Sequence, residues 1–187
     1  MTEAPHEQLA GLVTEARHPD YADLDVWPTQ RIVERMAAEE ANVHCAVAAA
    51  APAIAAVVDA TAERLARGGR LIYVGAGTAG RVGVLDAVEC RPTFNTPPGQ
   101  VMGILAGRRE RGGGAMVIAE EDGDEVERAE DDADAGAAAV ADVDVGLDDV
   151  VIGITASGRT PFVLGAVAAA AAAGALTVGI ACNPARR

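Results

Sequence analysis

Two short loops carry the residue types best suited to chemistry. Gly75-Ala76-Gly77-Thr78-Ala79-Gly80-Arg81 directly follows a β-branched apolar run and opens a helical pattern. Glycines let the backbone approach a ligand, and the first amides of a helix lack an internal acceptor, so such a loop suits an anion, above all a phosphate. Ala156-Ser157-Gly158-Arg159-Thr160-Pro161 repeats the arrangement after another apolar run. Ser157 and Thr160 supply hydroxyl donors, and Pro161 fits the first helical position, where its missing N–H costs nothing. A sugar phosphate needs its phosphate held and its hydroxyls bonded from a second side, so two loops at one sheet edge say more than either alone. The structural alternatives are a tight turn at the first loop and a helix cap at the second. Arg159 either orients substrate or pairs with a carboxylate.

The first loop also satisfies GxGxxG, so a dinucleotide has to be weighed. That reading needs an acidic residue at the end of the second strand to hold the ribose, and the second strand ends in Leu105-Ala106-Gly107. The dinucleotide reading loses its main support there. Glu89 closes the helix that the first loop opens, among Leu85, Ala87 and Val88, where desolvation would favour the protonated carboxyl. Glu130 lies in a segment so acidic that composition alone reads it as a solvated charge.

Four apolar runs, residues 71–74, 101–105, 150–155 and 176–181, read as buried parallel strands because both faces are apolar. Between them lie helical stretches: residues 81–89, the acidic region through Val140, and residues 161–173. Strand and helix in alternation predict an α/β fold with a doubly wound parallel sheet of about four strands, its ligands at the carboxyl ends of those strands. Residues 1–27 read as an irregular arm anchored by Val26 and Trp27. An amphipathic helix follows with Ile32, Val33, Met36 and Val43 at helical spacing. A second, alanine-rich helix has Pro52 near its first turn and stops at Gly68-Gly69. The division expected is an N-terminal arm and helix over residues 1–50 and a ligand-binding domain over residues 51–187.

Half of the 187 residues are hydrophobic and 23% are charged, which fits a folded domain rather than a disordered chain. The net charge of −13 belongs to one segment: residues 120–149 hold 14 acidic residues and one Arg. Apart from Arg108, Arg109 and Arg111 there is no basic cluster, so nucleic acid is not an expected partner. Neither a signal pattern nor a membrane span distinct from an alanine-rich helix is read, and a cytoplasmic protein is expected. Cys45, Cys90 and Cys182 form no CxxC pair and read as small buried hydrophobes; no metal site is expected from them or from the scattered His6, His18 and His44.

At the loops the sequence resembles a known family. The first loop, Leu85-Asp86-Ala87-Val88-Glu89-Cys90 with Pro92-Thr93-Phe94, Ala129-Glu130-Asp131, the second loop and Val178-Gly179-Ile180-Ala181-Cys182-Asn183-Pro184 resemble, in order, the N-acetylmuramic acid 6-phosphate etherases. Those enzymes belong to the sugar isomerase (SIS) superfamily and are related to the glucokinase regulatory protein. In the arm, Thr14-Glu15-Ala16-Arg17 and Ala22-Asp23-Leu24-Asp25 are similar to the family's N-terminal segment. The resemblance implies an SIS-like fold, a homodimer with sites near its interface, and cleavage of the D-lactyl ether of the sugar phosphate to N-acetylglucosamine 6-phosphate and D-lactate, without cofactor or metal. It implies Glu89 as general acid and Glu130 as base, with Glu121 as a fallback because the register of residues 108–127 is open. Gly75, Gly77, Thr78, Ala79, Gly80, Arg81, Ser157, Gly158, Arg159 and Thr160 would bind substrate. The alternative is a sugar-phosphate sensor or fragment that binds without catalysis.

Departures from the family pattern are local except for one. Ala79 stands where many relatives carry a hydroxyl, Arg91 where a Pro is usual, Arg128 where a Gly is usual and His18 where Asn is common. Losing a donor to a charged group costs roughly 1.5 to 3 kcal/mol, a weakening that Thr78 and the helix amides can survive. Relatives continue with another strand and a C-terminal helical region, so the chain is expected to be a C-terminally shortened form.

Overall fold

A computed structural model describes residues 11–107 and 129–183. The chain divides into two compact units, Met1–Ala60 and Thr61–Arg187. In the first, three single turns of 3-10 helix (Val13–Glu15, Pro19–Tyr21 and Leu24–Val26) lead into α1, Thr29–Ala66. Aromatic and charged side chains tie the turns to the helix. Tyr21 donates to Glu39 and accepts from Arg35, His18 stacks on Tyr21, and the Arg31 guanidinium lies 3.7 Å over the Trp27 ring. Trp27 thus anchors the arm as expected, whereas Val26 is exposed.

α1 is one helix of 38 residues with Pro52 inside it, not the two helices that the sequence suggests. Proline forgoes one bond to the preceding turn, but alanines on both sides keep helical propensity high enough to carry the helix through. By length and composition, α1 alone among the described residues could cross a membrane. Half of its uncharged stretch, residues 41–58, is alanine, interrupted by Asn42, His44 and Pro52.

The second unit is built on four parallel strands, β1 (Leu71–Gly75), β2 (Val101–Leu105), β3 (Val150–Ile154) and β4 (Leu176–Ile180), in the order β2-β1-β3-β4. α2 (Gly77–Phe94) covers one face, and α3 (Ala133–Ala141) with α4 (Pro161–Ala172) forms the other layer. This is the α/β parallel architecture expected from the apolar runs. α2 begins at Gly77 instead of residue 81 and ends on Asn95, whose φ of 54° closes it in the left-handed region.

Glycines set how close the layers come. A β-carbon on Gly136 would fall 1.9 Å from the Phe162 carbonyl oxygen, and one on Gly165 would fall 2.0 Å from that of Ala133, so α3 and α4 meet backbone to backbone. Ile72, Val74 and Val151 bury fully against Val163 and Ala166 of α4. At the amino ends of the strands Arg70 and Asp149 lock β1 to β3. The guanidinium meets both carboxylate oxygens (3.1 and 2.7 Å) and also donates to the carbonyls of Val143 and Asp144.

Candidate functional site

In the order β2-β1-β3-β4 the chain leaves β1 toward one edge and β3 toward the other, so the switch in direction falls between these two strands. A crevice forms outside the carboxyl ends at such a point, because the two connections diverge there. Gly75 and Ile154 are ladder partners, so the two glycine-bearing loops leave strands spaced roughly 5 Å apart. The topology therefore brings both loops to one edge.

The three glycines of the first loop have different work. A β-carbon on Gly75 would lie 2.4 Å from Gly80 Cα, and one on Gly80 would meet Gly75 backbone and Leu105 Cδ1, so this pair sets the close approach of β1 and α2. Gly77 is the one that faces outward. Its φ is +52°, and the nearest atom to an added β-carbon is Glu130 Oε2 at 4.0 Å. Glu130 is half-buried in the last helical residues before the turn at Asp131, and Asp132 then caps α3 by accepting from the Ala135 amide. Thr78 and Arg81 are exposed and Ala79 half-buried at the start of α2.

In the second loop, Gly158 takes a φ of +73° and Ser157 Oγ accepts the Arg159 amide at 3.1 Å. Thr160 occupies the cap position of α4 yet makes no side-chain cap bond. Its hydroxyl turns instead to Thr155, Oγ1 to Oγ1 at 2.8 Å, and Thr155 also reaches Ser157 Oγ at 3.3 Å. Thr160 thus does not cap α4 through its side chain. Asn183 holds the loop from the next strand end by donating to the Ser157 carbonyl at 3.0 Å. Thr155 and Asn183 are not among the residues expected to bind substrate, although Asn183 belongs to a segment that carries the family resemblance. The signal for Thr155 was a hydroxyl residue ending an otherwise apolar strand immediately before the loop.

Glu89 is not in the apolar setting expected of it. It is exposed, as are Leu85 (55%) and Val88 (44%), because these residues lie on the side of α2 turned away from the sheet. It also lies far from the loops. Twelve residues separate it from Gly77 along one helix, about 18 Å at the rise of ~1.5 Å per residue. One chain therefore joins Glu130 to the first loop but does not bring Glu89 to it. One turn before Glu89, Asp86 accepts from the Tyr73 hydroxyl at 2.6 Å. Burial and then the Asp86 carboxylate push the Tyr73 phenol above its ordinary range, and the same two causes raise the Cys90 thiol.

Cys45 and Cys182 are exposed and Cys90 only partly covered, so the expectation of three buried cysteines does not hold. Among the described residues no group of three or more His, Cys, Asp or Glu is placed to hold a metal ion. Arg108, Arg109, Arg111, Glu121 and Arg128 lie outside the described residues.

The chain is 58% identical to an N-acetylmuramic acid 6-phosphate etherase of Rubrobacter xylanophilus over 97% of its own length and 57% of that protein. It is 52% identical to one of Streptomyces avermitilis over 94% of its length and 53% of the relative. For one of Deinococcus radiodurans the identity is 48%, over 91% and 53%. The chain thus spans about half the length of the curated relatives it matches. The family model described as the glucokinase regulatory protein N-terminal SIS domain matches residues 51–171. That match takes in both loops and the strands that carry them, and the chain therefore belongs to the SIS-domain family of the glucokinase regulatory protein N-terminus.

Proposed function

We propose that this chain is the sugar-phosphate-binding part of an N-acetylmuramic acid 6-phosphate etherase. The observation that carries the reading is the Glu130 carboxylate at Gly77, beside two loops that flank the switch point of a parallel sheet. The resemblance of the loops and the names of the relatives supply the substrate.

In this reading the sugar phosphate lies across the carboxyl ends of β1 and β3. Donors come from Thr78, Ser157, Thr160 and the first amides of α2 and α4, with Gly75, Gly77, Ala79, Gly80, Arg81, Gly158 and Arg159 shaping or flanking the site. With the ring open, the C1 aldehyde acidifies C2. Glu130 takes the C2 proton, the C3–O bond breaks, and lactate leaves with a proton from a general acid. Water then adds at C3 of the unsaturated aldehyde and the proton returns to C2, so the sum is substrate plus water giving N-acetylglucosamine 6-phosphate and D-lactate. Two carboxyl groups whose surroundings set their protonation apart suffice for this sequence of steps.

Glu89 enters as that acid from a second copy of the chain. Its distance from Gly77 along α2 favours a site on another copy over that of its own chain, and Val82, Leu85 and Val88 beside it leave an apolar stripe open for association. A homodimer follows from this reading, with Val33 and Met36 of α1 offering further exposed apolar surface. Cytoplasmic residence follows as well, because a phosphorylated sugar does not cross a bilayer unaided.

The test is release of D-lactate from N-acetylmuramic acid 6-phosphate, measured for wild type, E89Q, E130Q and an equimolar mixture of the two variants. Loss in each variant with partial recovery in the mixture supports sites shared between copies. The exposed, distant position of Glu89 in one chain favours a second reading, a module that binds sugar phosphate without cleaving it. Tight binding by folded wild type with no lactate released selects that reading.

A further inference from the structure

We infer that Thr155 is a positioning residue that ties down Ser157 and keeps Thr160 aimed at a phosphate ester, an inference that rests on the sugar-phosphate reading of the site. Thr155 follows β3 directly, is 8% exposed, and is fixed by its own amide to the Ile180 carbonyl at 3.0 Å. A hydroxyl has one proton to give and two lone pairs to receive. Given to Thr160, the nearer partner at 2.8 Å, that proton leaves the Thr160 proton for an outside acceptor. Ser157 Oγ accepts the Arg159 amide and, since Thr155 has spent its one proton on Thr160, gives its own proton to Thr155 at 3.3 Å, so Thr155 holds both hydroxyls in place.

The arrangement also explains why Thr160 does not cap its own helix. A threonine at this position ordinarily accepts from an amide of the first turn. Here Pro161 has no amide to offer, and the Thr160 side chain is held by Thr155 away from the amides of Phe162 and Val163. The Thr160 hydroxyl proton and the helix amides are thereby kept for a ligand that only accepts hydrogen bonds, as a phosphate dianion does. Without the Thr155 hydroxyl, Thr160 is free to turn onto α4 and consume those donors itself.

The experiment compares wild type, Thr155→Val and Thr155→Ser in the full chain by titration calorimetry with N-acetylglucosamine 6-phosphate, alongside thermal unfolding of each. Expected is binding about tenfold weaker in the valine variant and within about threefold of wild type in the serine variant. The unfolding midpoint of the valine variant should stay close to wild type, because the new cap on α4 offsets the lost hydroxyl contact. A purely structural hydroxyl would lower the midpoint and leave the affinity of the remaining folded protein unchanged. Valine binding as tight as wild type, or serine as weak as valine, overturns the inference while leaving the sugar-phosphate reading intact. Folded wild type that binds no sugar phosphate overturns both.

Discussion

Glu130 Oε2 lies 4.0 Å from the point that a β-carbon on Gly77 would occupy, so a carboxylate on the segment before α3 stands over the loop that opens α2. The contact distance is ordinary, and Gly77→Ala would meet no clash. Its cost lies in the backbone, where a φ of +52° disfavours any side chain by about 1 kcal/mol. Gly80→Ala is different, because its new carbon would sit 2.6 Å from the Gly75 carbonyl carbon. The backbone must then move, at a cost of about 3 kcal/mol. Urea unfolding should rank Gly80→Ala well below Gly77→Ala, while sugar-phosphate affinity falls in Gly77→Ala. Equal stabilities would contradict the division of labour between these glycines.

Glu130→Gln separates chemistry from binding. As the proposed base, its loss should lower lactate release by about a hundredfold or more. Affinity for N-acetylglucosamine 6-phosphate should hold or rise, since a negative charge is removed from beside a site for an anion. Calorimetry on the folded variant decides the point, and binding lost along with turnover would recast Glu130 as a structural or substrate-holding group.

Much of this fold was legible because burial on both faces leaves a simple mark. β2 at Val101–Leu105 coincides with its apolar run, and the ends of β3 and β4 shift by a single residue. α1 was misread because Pro52 breaks most helices, and only its alanine surroundings outweigh that. Loop composition marked Ser157 and Thr160, but not Thr155, whose partners are fixed by where the strand ends. The surroundings of Glu89 were misjudged for a related reason. Leu85 and Val88 make its helix look apolar in sequence, yet nothing in composition says which side of a helix faces the sheet. Arg70 with Asp149 and Glu130 with Gly77 are contacts between distant segments, and no local spacing records them.

The Arg70–Asp149 pair makes acid sensitivity a property of this sheet. Burial by itself raises the Asp149 carboxyl, but hydrogen bonds from the Arg70 side chain, the Gly146 amide and the Arg70 amide outweigh it and hold the group below its usual range. A carboxyl depressed in the folded state contributes stability above its unfolded pKa of about 3.9, and that stability is lost as pH falls through the folded value. Thermal unfolding of wild type from pH 7 downward should therefore show a component lost below about pH 4. Asp149→Ala should lack that component and lose about 3 kcal/mol at neutral pH, since Arg70 is left without its partner. Identical pH profiles for the two proteins would remove this role.

The exposed stripe on α2 offers the sharpest test of how Glu89 is used. Val82, Leu85 and Val88 are 59%, 55% and 44% exposed and follow one another at helical spacing on a helix whose other side covers the sheet. Burying such a stripe against a second copy stabilises by removing apolar area from water, and a guanidinium placed at its centre cannot be buried there without a partner. Leu85→Arg should leave the fold intact, because the position is at the surface, and should convert an associating protein into monomers by sedimentation. Sugar-phosphate binding should persist, because both loops belong to one chain. Lactate release should disappear, because Glu89 of the second copy is then absent from the site. A monomeric Leu85→Arg protein that releases lactate at the wild-type rate would show that no acid is borrowed from another copy and that the acid lies elsewhere in the chain.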